Sequence, residues 1–217
     1  MASQERHGAR DRIAFDAPAN RGRAPQEAPD TARARLVVSA QELLWERGYV
    51  GTSPKAIQQR AGVGQGSMYH HFEGKSDLAL AAVRRNAEEV RAEAEVALSA
   101  PGSAVDRVAA YLGRERDVLR GCRVGRLAHD PDIVTDARLR APLAETFAWL
   151  QGRLAEVLAD GQARGELRGD LDVEATAAAI AAVVQGGYVL ARAANAPEQF
   201  DRAADGVLAL LANARSS

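Results

Sequence analysis

The stretch from Ser53 to Phe72 restricts this chain more than any other: it reads as two short helices joined by the turn Gly62-Val63-Gly64. Ser53 can cap the first amides, and Pro54 suits the first helical position, where a missing N–H leaves nothing unsatisfied. The first helix then runs to about Ala61. Gly62 lets the backbone reverse tightly. The second helix covers about Gln65 to His71, and Phe72-Glu73-Gly74-Lys75 breaks it. Ile57, Ala61, Met68 and Phe72 can form a small core joining both helices to Leu43 and Leu44, with Val63 plugging the angle between them. This is helix-turn-helix spacing, although a plain polar helical hairpin fits the same pattern.

The second helix is short of large aliphatics and rich in hydrogen-bonding side chains: Gln65, Ser67, Tyr69, His70 and His71. An ordinary surface helix would carry more Glu and Lys. Gly66 keeps its start slim. In a helix-turn-helix the first helix crosses the DNA backbone and the second places its N-terminal side chains in the major groove.

The rest of the chain also reads as helix, giving an all-α fold class. Leu36, Val37, Ala40, Leu43 and Leu44 recur at helical spacing from Thr31 to a C-cap at Gly48. Further helices are expected at about 76–99, 104–120, 123–130, 134–164, 172–193 and 197–214, separated by Gly, Pro and Asp clusters. Pro142 is expected near the start of its helix, or to kink it. No segment alternates as a strand does. Three domains follow: a disordered tail over 1–30, a three-helix unit over 31–75 and a helical bundle over 76–217. Alternatively, the tail is an arm that touches phosphates or the minor groove.

Net charge is -1, so overall balance is silent on nucleic acid. The distribution says more: residues 31–75 carry six basic and three acidic side chains, while 76–217 carry 17 basic and 21 acidic. A mildly basic module on an acidic body suits DNA reading, and it also arises by chance. The single cysteine, Cys122, excludes an internal disulfide framework and fits a reducing cytoplasm. No apolar run is read as long enough to span a bilayer, so no membrane partner is expected.

The run Gly48-Tyr49, Thr52-Ser53-Pro54, Ile57, Ala61 through Phe72, Lys75 and Leu78 closely resembles the N-terminal DNA-binding domain of TetR-like bacterial regulators. The resemblance implies a three-helix DNA-binding domain, a fourth linking helix, and a larger bundle that dimerises and binds an effector. Carried over position by position, it implies that Thr52 and Ser53 contact the DNA backbone. Gln65, Gly66 and Ser67 would open the base-facing side of the recognition helix. Tyr69 and His70 would contact phosphate or base, and Lys75 phosphate. Hydroxyls and helix N-termini bind phosphate, and Gln can bond an adenine edge bidentately. Two positions depart from the family pattern: Gln58 stands where a small residue is frequent, and Gly64 where Ser or Pro is common.

In the body, Leu143, Phe147, Leu150, Leu154 and Val157 form an apolar stripe. Residues 177–194 are almost all small or apolar, which calls for burial on more than one side. This helix is expected to pair with 197–214 and with the same two helices of a second copy, as a four-helix homodimer interface; a monomer's central helix is the alternative. Gly121-Cys122-Arg123-Val124-Gly125 resembles a Gly-Cys segment of one subgroup of the family, which includes regulators responding to reactive or hydrophobic small molecules. Cys122 is then either an electrophile sensor or a small buried hydrophobe. Candidate ligand-binding residues are Tyr111, Cys122, Phe147, Trp149, Gln185 and Tyr188. His129, Asp130 and Asp132 are too few for a convincing metal site, and no metal or cofactor is expected.

These features point to a ligand-responsive DNA-binding regulator, a repressor on a palindromic double-stranded operator, released by a small-molecule effector and not an enzyme. A Cys122–His129 hydrolase-like pair would lack an orienting third group. A helical interaction protein without DNA function leaves residues 61–75 unexplained.

Overall fold

The computed structural model describes residues 31–215, so the expectation for the tail over 1–30 lies outside the described residues. The order is α1 (Ala32–Arg47), α2 (Pro54–Ala61), α3 (Gln65–His71), α4 (Lys75–Leu98) and α5 (Ala104–Gly113), a 3-10 turn (Gly125–His129), then α6 (Pro131–Thr135), α7 (Ala137–Ala163), α8 (Val173–Ala194) and α9 (Glu198–Ala212). The only non-helical pairing among the described residues is one antiparallel bridge between Leu167 and Arg215.

Local chemistry sets the helix starts. Thr31, Ser53, Ser103, Asp130, Asp136 and Asp172 each accept a backbone N–H from their own first turn. At α5 the cap is reciprocal, because Asp106 also accepts from the Ser103 backbone N–H; the Ser103 hydroxyl first, and then that N–H, hold the Asp106 carboxyl below its ordinary range.

Three sequence expectations need correction. The helix expected over 104–120 ends at Gly113. Arg116 turns back and donates to the Tyr111 and Leu112 carbonyls, closing the helix end. The segment 123–130 is a 3-10 turn rather than an α-helix. The helix expected over 134–164 is two helices, because Asp136 leaves helical geometry and accepts from the Arg138 and Leu139 amides to cap a new one. Pro142 lies in the second turn of α7.

Two cores hold the molecule. The first joins α1, α2, α3 and the first half of α4 to the 3-10 turn, α6 and the start of α7 through Leu36, Leu44, Ile57, Met68, Leu78, Val83, Leu127, Ile133 and Leu139. The second joins the end of α4 to α5, α7, α8 and α9 through Leu98, Val108, Tyr111, Leu154, Leu158, Ile180 and Phe200. Helix α4 therefore belongs to both. A polar tie reinforces its hold on α1: Gln41 Nε2 donates to Asn86 Oδ1 at 2.9 Å and to Glu89 Oε2 at 3.1 Å.

Helix α8 corrects the membrane reading. It is long and apolar enough to cross a bilayer by length and composition. It packs against α7 and α9, with Ala177, Ile180, Ala181, Val184, Tyr188 and Ala191 buried. Its other face remains apolar and exposed, with Val189 and Leu190 each 55% accessible.

Candidate nucleic-acid interface and ligand cavity

Helix α3 is fixed from behind. Met68 is 0% exposed and packs with Ile57, Ala61, Phe72 and Leu44. Gly62 makes the turn possible: its φ of 64° and ψ of 36° are left-handed, and its N–H closes α2 onto the Gln58 and Gln59 carbonyls. Gln58, the departure from the family pattern, reaches across the pair, with Nε2 3.1 Å from Met68 Sδ. Gly64 begins α3 without a side-chain cap, so the first amides of that helix keep their donors free of one.

With Met68 turned inward, Gln65, Gly66, Tyr69 and His70 are exposed and Ser67 is half-buried. Tyr69 is 52% accessible. The exposed Ser53 caps α2 by accepting the Ala56 N–H at 3.1 Å. Lys75 is half-buried, its Nζ 4.0 Å from the centre of the Tyr49 ring, and burial lowers its pKa below the ordinary lysine value. Thr52 differs from its expected role. It is 1% exposed, and its hydroxyl donates to the Gly48 carbonyl at 2.7 Å and the Leu43 carbonyl at 3.2 Å. It ties the loop to α1 from inside and does not face a phosphate.

The second group of candidate residues divides. Cys122, Phe147, Gln185 and Tyr188 line one cavity of about 320 Å³, between the Gly121–His129 segment, α7 and α8. Tyr111, at 1% exposure, belongs to the second core, and Trp149 packs against that core. Burial pushes the Tyr188 hydroxyl up to about 12, so it is a neutral hydrogen-bonding group at physiological pH. Two of the cavity's lining residues, Gly186 and Val189, are on the exposed face of α8. Its two charged lining residues, Arg126 and Arg192, were not among the ligand candidates, because nothing in their local pattern distinguishes them from surface arginines. Among the described residues no three His, Cys, Asp or Glu side chains gather as a metal site.

The same segment grips α1 and the loop that follows it. Trp45 Nε1 donates to the Gly121 carbonyl at 2.9 Å, and Arg126 donates to the Trp45 carbonyl. The guanidinium carbons of Arg120 and Arg123 lie 3.6 and 4.4 Å from the centre of the Trp45 ring, and Arg120 pairs with Glu42 at 2.5 Å. Asp130 Oδ2 accepts the Tyr49 and Val50 amides at 2.7 and 3.0 Å. Gly48 is required there: its φ is 72°, and a Cβ on it would stand 2.9 Å from Asp130 Oδ2.

Known proteins share this combination. Residues 36–82 match the family described as "Bacterial regulatory proteins, tetR family", and residues 103–207 match "Tetracyclin repressor-like, C-terminal domain". A crystal structure of a TetR transcriptional regulator from Chloroflexus aurantiacus superposes with a TM-score of 0.79 at 29% identity, covering 86% of this chain and 97% of that one. An uncharacterized HTH-type transcriptional regulator of Mycobacterium tuberculosis is 30% identical over 131 residues, 58% of this chain and 67% of that protein. The HTH-type transcriptional activator FasR of Mycolicibacterium smegmatis is 29% identical over 113 residues, 52% of each chain. The matched stretches span about half to two thirds of the curated relatives' lengths. Two family matches in the expected order, and one helical architecture over nearly the whole described chain, converge: this protein belongs to the TetR family of bacterial regulatory proteins.

Proposed function

We propose that this chain regulates transcription as a homodimer, reading a near-palindromic operator with two copies of α3 and releasing it when a small molecule enters the cavity behind Gly121–Cys122. The carrying observation is α3 itself: Met68 anchors it, and Gln65, Gly66, Tyr69 and His70 face outward. Ser53 and Lys75 flank it as phosphate contacts, and Ser67 stands at its start. Repression is the output that steric occupation of a promoter gives most directly, in the cytoplasm where the operator lies.

A gel-shift titration on DNA flanking the protein's own gene tests this. Specific binding is expected, steeply weakened by salt. Tyr69→Ala and Gln65→Ala are each expected to lose about tenfold in affinity, since one good base or phosphate contact contributes roughly 1–3 kcal/mol. Their melting curves should match wild type, because both side chains are exposed. Undiminished binding by both variants would remove α3 as the reading element. A reporter on the same promoter separates repression from activation.

The apolar outer face of α8 and Leu210 of α9, 73% accessible, support dimerisation through these two helices. The substitutions Leu190→Glu and Leu210→Glu together are expected to convert dimer to monomer in light scattering at micromolar concentration, without loss of helicity. A double variant that still elutes as a dimer would place the interface elsewhere.

Effector release requires the ligand to favour a conformation whose two α3 helices are wrongly spaced. Helix α4, shared by both cores, is one route. The clasp on α1 by Gly121, Arg126 and Asp130 is a second and shorter one, since two of those three residues line the cavity.

A further inference from the structure

We propose that the cavity accepts a small organic anion, a carboxylate on a short apolar body, with its charge held between Arg126 and Arg192. This rests on reading the cavity as the effector site and adds the chemistry of the occupant. The walls are mainly apolar, with Phe147, Tyr188 and Val189 among them. Arg126 and Arg192 run over the same glycine: a Cβ at Gly121 would lie 3.2 Å from Arg126 Cδ and 3.5 Å from Arg192 Cδ.

No carboxylate side chain lines this cavity. Arg120 and Arg123 find Glu42 and Glu89, whereas among the described residues Arg126 and Arg192 form no ion pair. Arg126 donates through Nη1 alone, to the Trp45 and Arg120 carbonyls; its Nε and Nη2 have no acceptor among the described residues. Burial, then repulsion from Arg192 and Arg120, lowers the Arg126 pKa.

The cleft on the far side of Cys122 provides the contrast. There Arg114, Arg116 and Arg123 stand beside three carboxylates, Glu93, Glu115 and Asp117, in formal balance, although among the described residues neither Arg114 nor Arg116 forms an ion pair and each buries its Nε without a hydrogen-bond partner. In the apolar cavity the two arginines lack even that formal balance. A charge-assisted pair with two guanidiniums would balance them and discriminate strongly against a neutral analogue. At roughly 30 Å³ per water-sized group, 320 Å³ holds about ten non-hydrogen atoms. Arg126 also holds the Trp45 carbonyl at the end of α1, so a carboxylate that recruits Arg126 draws on the same group that secures the DNA-reading half.

Calorimetric titration and thermal melting of the full chain with hexanoate and its neutral isostere hexanamide, at constant ionic strength, test the proposal. Hexanoate is expected to bind saturably and raise the melting temperature, and hexanamide to bind about tenfold more weakly or worse. Arg192→Gln is expected to lose about tenfold or more in hexanoate affinity, with Arg192→Lys recovering part of it. Arg114→Gln should leave binding unchanged. Arg192 is exposed, so its variants should melt as wild type without ligand.

Equal affinity for hexanoate and hexanamide overturns the proposal. So does full hexanoate affinity in Arg192→Gln, or loss confined to Arg114→Gln. So does an absence of saturable binding by every straight-chain carboxylate from propionate to octanoate and by benzoate. A parallel gel shift separates the two readings. Carboxylate binding without DNA release overturns the effector role and leaves the anion site; DNA binding in a protein indifferent to carboxylates overturns the anion site alone.

Discussion

Met68→Asp is expected to collapse the helix-turn-helix and abolish specific DNA binding. Met68 is 0% exposed, wedged between α2, α3 and α1, so the substitution removes a large apolar side chain and buries an unpaired carboxylate. Truncation of a buried Met costs about 2–5 kcal/mol, and an uncompensated charge adds several more. A total on the order of 5 kcal/mol or above rivals a domain's whole stability. In a Trp149→Phe background, Trp45 is the remaining tryptophan, and its fluorescence reports the contact of α1 with Gly121, Arg120 and Arg123. That signal should be lost at lower denaturant than in wild type, while the helicity of the second core persists. Met68→Leu, close in volume, should cost under about 1.5 kcal/mol. Wild-type melting and DNA affinity in Met68→Asp would mean that α3 is not anchored through this residue.

Asp130→Ala should produce the second large effect, a loss of about 3 kcal/mol measured by denaturant titration. The Asp130 carboxylate is 9% exposed and accepts three backbone amides, from Tyr49, Val50 and Asp132. Hydrogen bonds to a charged group contribute roughly 1.5–3 kcal/mol each, and water recovers part of the loss at the exposed Val50. The residue also caps α6, so the two helical neighbourhoods loosen together. Asp130→Asn keeps an acceptor without the charge and should lose about half as much. The variant also probes signalling: with the clasp cut, DNA affinity should respond less to whatever fills the cavity. A stability within about 0.5 kcal/mol of wild type would show that this contact contributes no more than an ordinary surface substitution.

The helix-turn-helix was legible because its determinants are local. Ser53 caps through its own first turn, Gly62 supplies a left-handed residue wherever it stands, and the spacing of Ile57, Ala61, Met68 and Phe72 is a property of sequence alone. The exposed set on α3 followed from the same periodicity. Boundaries failed where a nearby side chain redirected the backbone. Arg116 closing α5 and Asp136 restarting α7 are single hydrogen-bonding choices that helical periodicity does not encode.

Thr52 was misread because a hydroxyl beside a helix start suits phosphate and an inner carbonyl equally well; burial against Leu43 and Gly48 chose the carbonyl. Five ligand candidates were chosen by residue type and helix, and Cys122 from its Gly-Cys segment. Only folding could sort Cys122, Phe147, Gln185 and Tyr188 into one cavity, and Tyr111 and Trp149 onto the core. The sequence alone thus determined the helix-turn-helix, the caps at Ser53 and Gly48 and the face that α3 presents, because those depend on neighbours a few residues away. The tertiary structure alone decided which arginines stand without a carboxylate and how residues 121–130 clasp α1, because those depend on groups some 75 to 80 positions apart being brought within hydrogen-bonding distance.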